Sequence, residues 1–123
     1  MLVPQLGFVI LFVSNPLNSS AFYEKLLGLK PLEVSPTFAL FGLHDGVSLG
    51  LWSSQTAEPA VLAKGGGSEI AFSEEDVDGL YRKWADQGVA MAQEPTDMDF
   101  GRTFVALDPD GHRIRVYRLK EEG

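Results

Sequence analysis

Two strand-and-helix segments about 60 residues apart constrain this chain more than any other feature. Phe8-Val9-Ile10-Leu11-Phe12-Val13-Ser14-Asn15 and Glu69-Ile70-Ala71-Phe72-Ser73-Glu74-Glu75-Asp76 are both strand-like runs that end in a helix-capping residue. Phe8 and Glu69 stand 61 residues apart, as do Asn15 and Asp76, and the helix-ending glycines Gly28 and Gly88 stand 60 apart. The chain is written twice, so its work is expected between two similar halves.

In the first half, residues 7–13 are almost continuously apolar and rich in β-branched and aromatic types, which predicts a buried strand. Asn15 caps a helix that Pro16 opens and that runs through Leu27 to Gly28, with Ala21, Phe22, Leu26 and Leu27 as its apolar stripe. Short strands are expected over 29–34 and 37–42. The turn His44-Asp45-Gly46 leads to another over 47–52. Residues 54–67 are polar, small and proline-bearing and close on Gly65-Gly66-Gly67, the composition of a linker. A phosphate-cradling loop is the alternative, but no Gly-Lys-Ser/Thr closes it and no strand leads into it.

The second half repeats the plan. A strand over 68–72 precedes a helix whose acidic start, Glu74-Glu75-Asp76, complements the helix dipole and which reaches Gly88 through Val77, Leu80, Tyr81 and Trp84. A short strand over 89–93, a loop over 94–100 and a hairpin of 103–107 with 113–119 follow, turning on Asp108-Pro109-Asp110-Gly111. The expected fold is α+β: two βαβββ modules, 5–53 and 68–119, joined by the linker and forming a curved mixed sheet around a cavity.

At 123 residues the chain suits one domain that folds without staples. It has no cysteine, which removes disulfides, thiolate metal sites and thiol nucleophiles and fits a reducing cytoplasm. The net charge of −7, with the ten basic residues scattered, argues against nucleic acid, whose affinity comes largely from neutralised phosphates. No basic residue precedes the apolar run at 8–13, and the run is far too short to span a bilayer, so neither export nor a membrane anchor is expected. No Gly-x-Ser-x-Gly elbow offers a nucleophile, and Glu74-Glu75 sits where capping explains it.

With these elements placed, the chain resembles the vicinal oxygen chelate superfamily of glyoxalases, extradiol dioxygenases and bleomycin-resistance proteins. The matching pieces are Val13-Ser14-Asn15, Ser19-Ser20-Ala21-Phe22-Tyr23, Leu27-Gly28-Leu29, and Asp108-Pro109-Asp110-Gly111-His112 leading to Ile114-Arg115-Val116. Within that superfamily Leu51-Trp52-Ser53, Ser68-Glu69-Ile70, Glu94-Pro95-Thr96-Asp97 and Phe100-Gly101-Arg102-Thr103-Phe104 resemble the phenazine-antibiotic resistance proteins, which bind a drug without transforming it.

The resemblance also locates the metal slots of the superfamily's enzymes, which hold a divalent cation with His, Glu or Gln. Seven positions before Asn15 the slot is Phe8; the next falls near Leu49 or Leu51; the third is Glu69; and the last, four residues after Gly111, is Arg115. A single oxygen donor facing an arginine implies no metal and no cofactor. Glu69 and Arg115 either pair with each other or point to solvent. His44 and His112 lie in turns, the usual place of surface histidines.

Strand alternation puts Ser48, Gly50 and Trp52 on one face, where two small residues leave room along an aromatic wall. Phe8, Ile10 and Phe12 likewise share a face. Phe12, Phe22, Phe72 and Trp84 are read as core. Trp52 is read either as core or as a wall of the binding cavity, and Phe38 and Phe41 lie on the adjoining strand. Near the cavity in the family plan lies the 97–102 loop, where Met98 and Phe100 offer apolar contact and Arg102 either meets a ligand carboxylate or bridges Asp97 or Asp99. Tyr117 shares a face with Arg115 and adds a hydroxyl.

The expected ligand-binding set is therefore Phe8, Phe38, Phe41, Ser48, Gly50, Trp52, Glu69, Met98, Phe100, Arg102, Arg115 and Tyr117. The expected function is sequestration of a planar aromatic molecule such as a phenazine antibiotic. Resemblance adds a homodimer, with paired or swapped modules and ligand clefts at the subunit interface. The alternatives are a metal-dependent lyase or dioxygenase built around Glu69, and a ligand-sensing or protein-interaction module.

Overall fold

The computed structural model describes residues 2–121, which form two compact units meeting at Ala63 and Lys64, within the 54–67 stretch. The elements follow one order twice. The first unit holds β1 (Phe8–Val13), α1 (Pro16–Leu27), β2 (Glu33–Val34), β3 (Phe38–Gly42) and β4 (Ser48–Ser53). The second holds β5 (Glu69–Ser73), α2 (Val77–Asp86), β6 (Ala90–Met98), β7 (Gly101–Leu107) and β8 (Arg113–Leu119).

Each unit contains one four-stranded mixed sheet, ordered β1-β4-β3-β2 in the first and β5-β8-β7-β6 in the second. In each the first strand runs parallel to the fourth and the other pairs are antiparallel. This is the α+β, two-module architecture that the duplication predicts.

The helix starts are built by their caps. Asn15 Oδ1 accepts from the Asn18 amide at 3.2 Å, and Asp76 Oδ1 accepts from Gly79 at 3.0 Å, each satisfying a donor with no partner inside the helix. At its other end α1 stops on Gly28, whose φ of 69° is the left-handed turn that glycine enters freely. The buried stripe of α1 is Pro16, Ser19, Ser20, Tyr23 and Leu26. It is rotated from the expected one: Phe22 is half-buried, its ring edge-on to that of Tyr23, while Ser19 and Ser20 are buried.

One face of each sheet is covered by its own helix. In the first unit Leu11, Val13, Ala39, Phe41, Leu49 and Leu51 are buried beside Tyr23 and Leu26. In the second, Tyr81 and Trp84 of α2 set their rings edge-on to Phe104, at 5.4 and 5.5 Å, over a layer with Ala106, Ile114 and Val116. Burying such side chains stabilises each unit by about 1.5–3 kcal/mol per large residue. The opposite faces carry no helix of their own unit, and the candidate site is built there.

Two elements differ from expectation. The strand expected over 29–34 shrinks to Glu33–Val34, because Pro31 has no amide to pair. Residues 94–98, expected in a loop, continue β6. That edge strand tolerates Pro95, and its register slips between Met91 and Gln93 and again between Gln93 and Thr96.

Candidate functional site

The open face of the first sheet is an aromatic floor. Register places Phe8 beside Ser48, Ile10 beside Gly50 and Phe12 beside Trp52 across β1 and β4, while Phe38 lies opposite Trp52 across β3 and β4. Phe8, Ile10, Phe38 and Trp52 line an almost wholly apolar hollow of about 380 Å³. Phe12 is half-buried on this face, its ring centroid 6.0 Å from that of Trp52 and tilted by 35°, and is not a core residue as expected.

Gly50 lets this hollow exist. A Cβ there would stand 3.0 Å from Phe38 Cζ and 3.5 Å from Ile10 Cγ1, so the Phe38 ring rests where a side chain would otherwise be. Phe8 stays about half exposed, and a cluster of exposed large apolar groups on one face marks a place that something covers.

Phe41 does not belong to this set. It is fully buried under α1, because it stands three residues from Phe38 in the same strand and a strand alternates every residue. Leu49 and Leu51 are buried on that helix-facing side too, leaving Ser48, Gly50 and Trp52 as the open-face positions of β4.

The open face of the second sheet is polar. Arg115 Nε donates to Glu69 Oε1, its Nη1 donates to Thr103 Oγ1 at 3.0 Å and to Gln93 Oε1 at 3.4 Å, and Arg113 Nε donates to Glu69 Oε2 at 3.0 Å. The Glu69–Arg115 pair thus sits within a chain of contacts crossing all four strands. Arg115, first through its hydrogen bond, holds the Glu69 carboxyl below the ordinary carboxylate range against the opposing effect of burial. Thr103 passes its own hydroxyl hydrogen to the Val116 carbonyl at 2.8 Å. Tyr117 is half-buried opposite Thr103, and Met98 accepts from Gln93 Nε2 at 3.6 Å. Phe100 is partly exposed in the β6–β7 turn.

Arg102 is placed elsewhere. It alternates with Thr103 and so faces α2, where Nε and Nη2 grip Asp78 at 2.8 and 3.1 Å and Nη1 reaches Asp97 at 3.1 Å. Asp78 raises the arginine's pKa and has its own lowered in return. This fork is spent on the fold and does not join Arg115 and Tyr117. Asp78 lies 24 residues away, beyond the reach of the local reading that offered only Asp97 or Asp99 as partners. Sequence reasoning also missed Arg113, Thr103 and Gln93, although the alternation that pairs Arg115 with Tyr117 puts Arg113 on the same face.

A divalent cation does not fit these residues. Phe8 offers no donor, Leu49 and Leu51 are buried under α1, Arg115 is itself a cation, and both oxygens of Glu69 already accept from guanidiniums. Among the described residues no three His, Asp or Glu gather as a ligand set.

A βαβββ unit made twice, each with one face left open, is the architecture of a superfamily. Residues 5–116 match the Glyoxalase/Bleomycin resistance protein/Dioxygenase superfamily, and the chain belongs to it. It is 34% identical over 116 residues to the phenazine antibiotic resistance protein EhpR of Enterobacter agglomerans, a match spanning 89% of this chain and 88% of that one. Among solved structures, protein ATC0852 from Agrobacterium tumefaciens is 49% identical with a TM-score of 0.88, covering 97% of this chain and all of that one. TnmS3, an antibiotic binding protein from Streptomyces sp. CB03234, superposes with a TM-score of 0.76 over 98% of this chain and 99% of its own; at 21% identity the likeness is one of fold.

Proposed function

We propose that this protein binds and sequesters a planar aromatic small molecule of the phenazine antibiotic kind and confers resistance without changing it chemically. The observation that carries this reading is the apolar hollow of Phe8, Ile10, Phe38 and Trp52, three of whose four lining residues are aromatic. Such walls add roughly 0.5–1.5 kcal/mol per stacked ring beyond the area they bury. Similarity to a phenazine antibiotic resistance protein over most of both chains supports the same ligand class. In this reading the protein is a cytoplasmic homodimer with its ligand clefts at the subunit interface. The modules 5–53 and 68–119 are its repeating units, with 54–67 as linker.

Titrating phenazine into the protein while following tryptophan fluorescence tests the ligand class, and mass analysis of recovered ligand tests for chemistry. Saturable quenching with unchanged phenazine is expected. A folded sample that shows no quenching with any planar aromatic would end the reading. Light scattering should give about twice the 13.4 kDa chain mass. Stoichiometric Ni, Zn, Mn or Fe in protein purified without chelator would favour a metal-dependent lyase or dioxygenase instead.

A further inference from the structure

Aspartate followed by glycine occurs three times in the chain, at Asp45-Gly46, Asp78-Gly79 and Asp110-Gly111. The pair carries its own chemistry, because the glycine amide nitrogen lies close to the preceding carboxyl and no Cβ hinders its approach. Attack of that nitrogen on Cγ closes a succinimide ring.

The fold withholds two of the three pairs from this reaction. Asp78 lies in α2 with its carboxylate gripped by Arg102 at 2.8 and 3.1 Å, and the Gly79 amide donates to Asp76 Oδ1 at 3.0 Å. At the last hairpin the Gly111 amide donates to the Asp108 carbonyl at 3.0 Å, and Asp110 Oδ2 is buried. To cyclise, each nitrogen must first give up a hydrogen bond that the fold supplies.

Asp45-Gly46 is the exception. It is the tip of the hairpin between β3 and β4, where the Val47 amide donates to the His44 carbonyl at 3.1 Å and the Leu43 amide to the Val47 carbonyl at 2.8 Å. Positive φ at both Asp45, 57°, and Gly46, 79°, makes this a type I′ turn, a geometry that favours Asp-Gly. His44, Asp45 and Gly46 are all exposed, and a Cβ on Gly46 would meet nothing within 4 Å. Among the described residues none bonds the Asp45 carboxylate or the Gly46 amide.

We propose that Asp45 is a site of self-modification: it isomerises to isoaspartate, and the isomerised chain is a substrate for a carboxyl methyltransferase that uses S-adenosylmethionine. The Gly46 nitrogen bonds to Asp45 Cγ as the Cγ–O bond breaks, and the amide hydrogen leaves with the carboxyl hydroxyl as water. Water then adds to either imide carbonyl. Opening at Cγ restores aspartate, whereas opening at the main-chain carbonyl carbon leaves the chain running through Cγ and sets the main-chain carboxylate free. No electron is gained or lost, and the final mass is unchanged. The methyl group passes from the sulfonium sulfur to an oxygen of that free carboxylate, C–S breaking as C–O forms, and loss of methanol closes the ring again. The extra backbone carbon falls between two strands whose pairing sets Gly42 opposite Ser48 and Phe38 opposite Trp52.

The three pairs fall on separate tryptic peptides, because Lys64, Arg82 and Arg102 lie between them. The full chain is aged in mildly acidic buffer, either folded or in guanidinium chloride, then digested, and isoaspartate is located by electron-transfer fragmentation. In the folded chain the Asp45 peptide should gain isoaspartate at least about tenfold faster than the other two, and unfolding should bring the three rates together. Equal rates in the folded chain, or a folded Asp45 peptide that stays free of isoaspartate, overturn the proposal. Aged protein should then take a labelled methyl group from S-adenosylmethionine and an isoaspartyl methyltransferase, on the Asp45 peptide, and fresh protein should not. An isomerised chain that takes no label overturns the methyltransferase half. Asp45→Glu, whose longer side chain closes its ring far more slowly, should lose both signals. Asp45→Asn keeps the turn and should age faster through the same ring, releasing ammonia; a variant that ages no faster than the native chain overturns the route.

Discussion

The two tryptophans show how the same residue type is put to opposite uses. Trp84 is 2% exposed against Phe104, so Trp84→Ala should cost about 3–5 kcal/mol of stability, read as a lowered urea midpoint. Trp52 stands on the open floor, so Trp52→Ala should leave the midpoint close to native and weaken phenazine binding at least about tenfold by fluorescence titration. Gly50→Ala is a subtler test. Its Cβ would touch Ile10 at ordinary contact distance and crowd the far end of the half-buried Phe38 ring, which need give only a few tenths of an ångström, so the melting temperature should move little while phenazine affinity falls several-fold. Unchanged affinity would show that the position of Phe38 does not matter. The period of two made Trp52 and Gly50 readable from the chain, since Ser48, Gly50 and Trp52 are the small-small-aromatic face of one strand. The same rule, applied strictly, separates Phe41 from Phe38, which are grouped only as members of one strand. Arg102 is placed near the cavity by the family plan of the 97–102 loop, and its partner Asp78, 24 residues away, is beyond a local reading.

At the scale of elements, what was legible is what local chemistry decides. Asn15 and Asp76 cap their helices, Gly28 ends one, and Asp108 folds the last hairpin by accepting from the amides of Asp110 and His112 at 2.9 and 2.8 Å. The extent of β6 was not legible, because Glu94-Pro95-Thr96-Asp97 has loop composition and is held extended only by pairing with β7. Nor was the phase of α1, because two serines and a tyrosine form its buried side and carry little hydrophobic signal. The β6–β7 turn yields an element-scale prediction. Gly101 has a φ of 149°, and a Cβ there would overlap the Arg118 carbonyl oxygen on β8. Gly101→Ala should therefore cost about 2–4 kcal/mol. Gly88 also has positive φ, at 83°, but meets no atom within 4 Å, so Gly88→Ala should cost only about 1–2 kcal/mol. Urea unfolding of the two variants checks the order, and equal midpoints would mean that the turn relaxes freely.

For the whole molecule, charge sets the dependence on acid. At neutral pH the chain carries −7, and lowering the pH toward its isoelectric point near 4.7 relieves self-repulsion. Glu69 and Asp78 act in the opposite direction. Arginines lower the pKa of both carboxyls in the folded state, below ordinary values of 4.5 and 3.8, so the folded protein binds fewer protons there than the unfolded chain. Their contribution is complete above those ordinary values and is lost as pH falls through the lowered ones. Below the isoelectric point the two effects combine, because the chain turns net positive just as its ion pairs lose their anions. Urea midpoints measured across pH should thus peak near about pH 5–6 and fall steeply below about pH 4. The double substitution Glu69→Gln with Asp78→Asn should lower the plateau and flatten the acid limb. An acid limb as steep as the native one would assign acid sensitivity to other carboxylates.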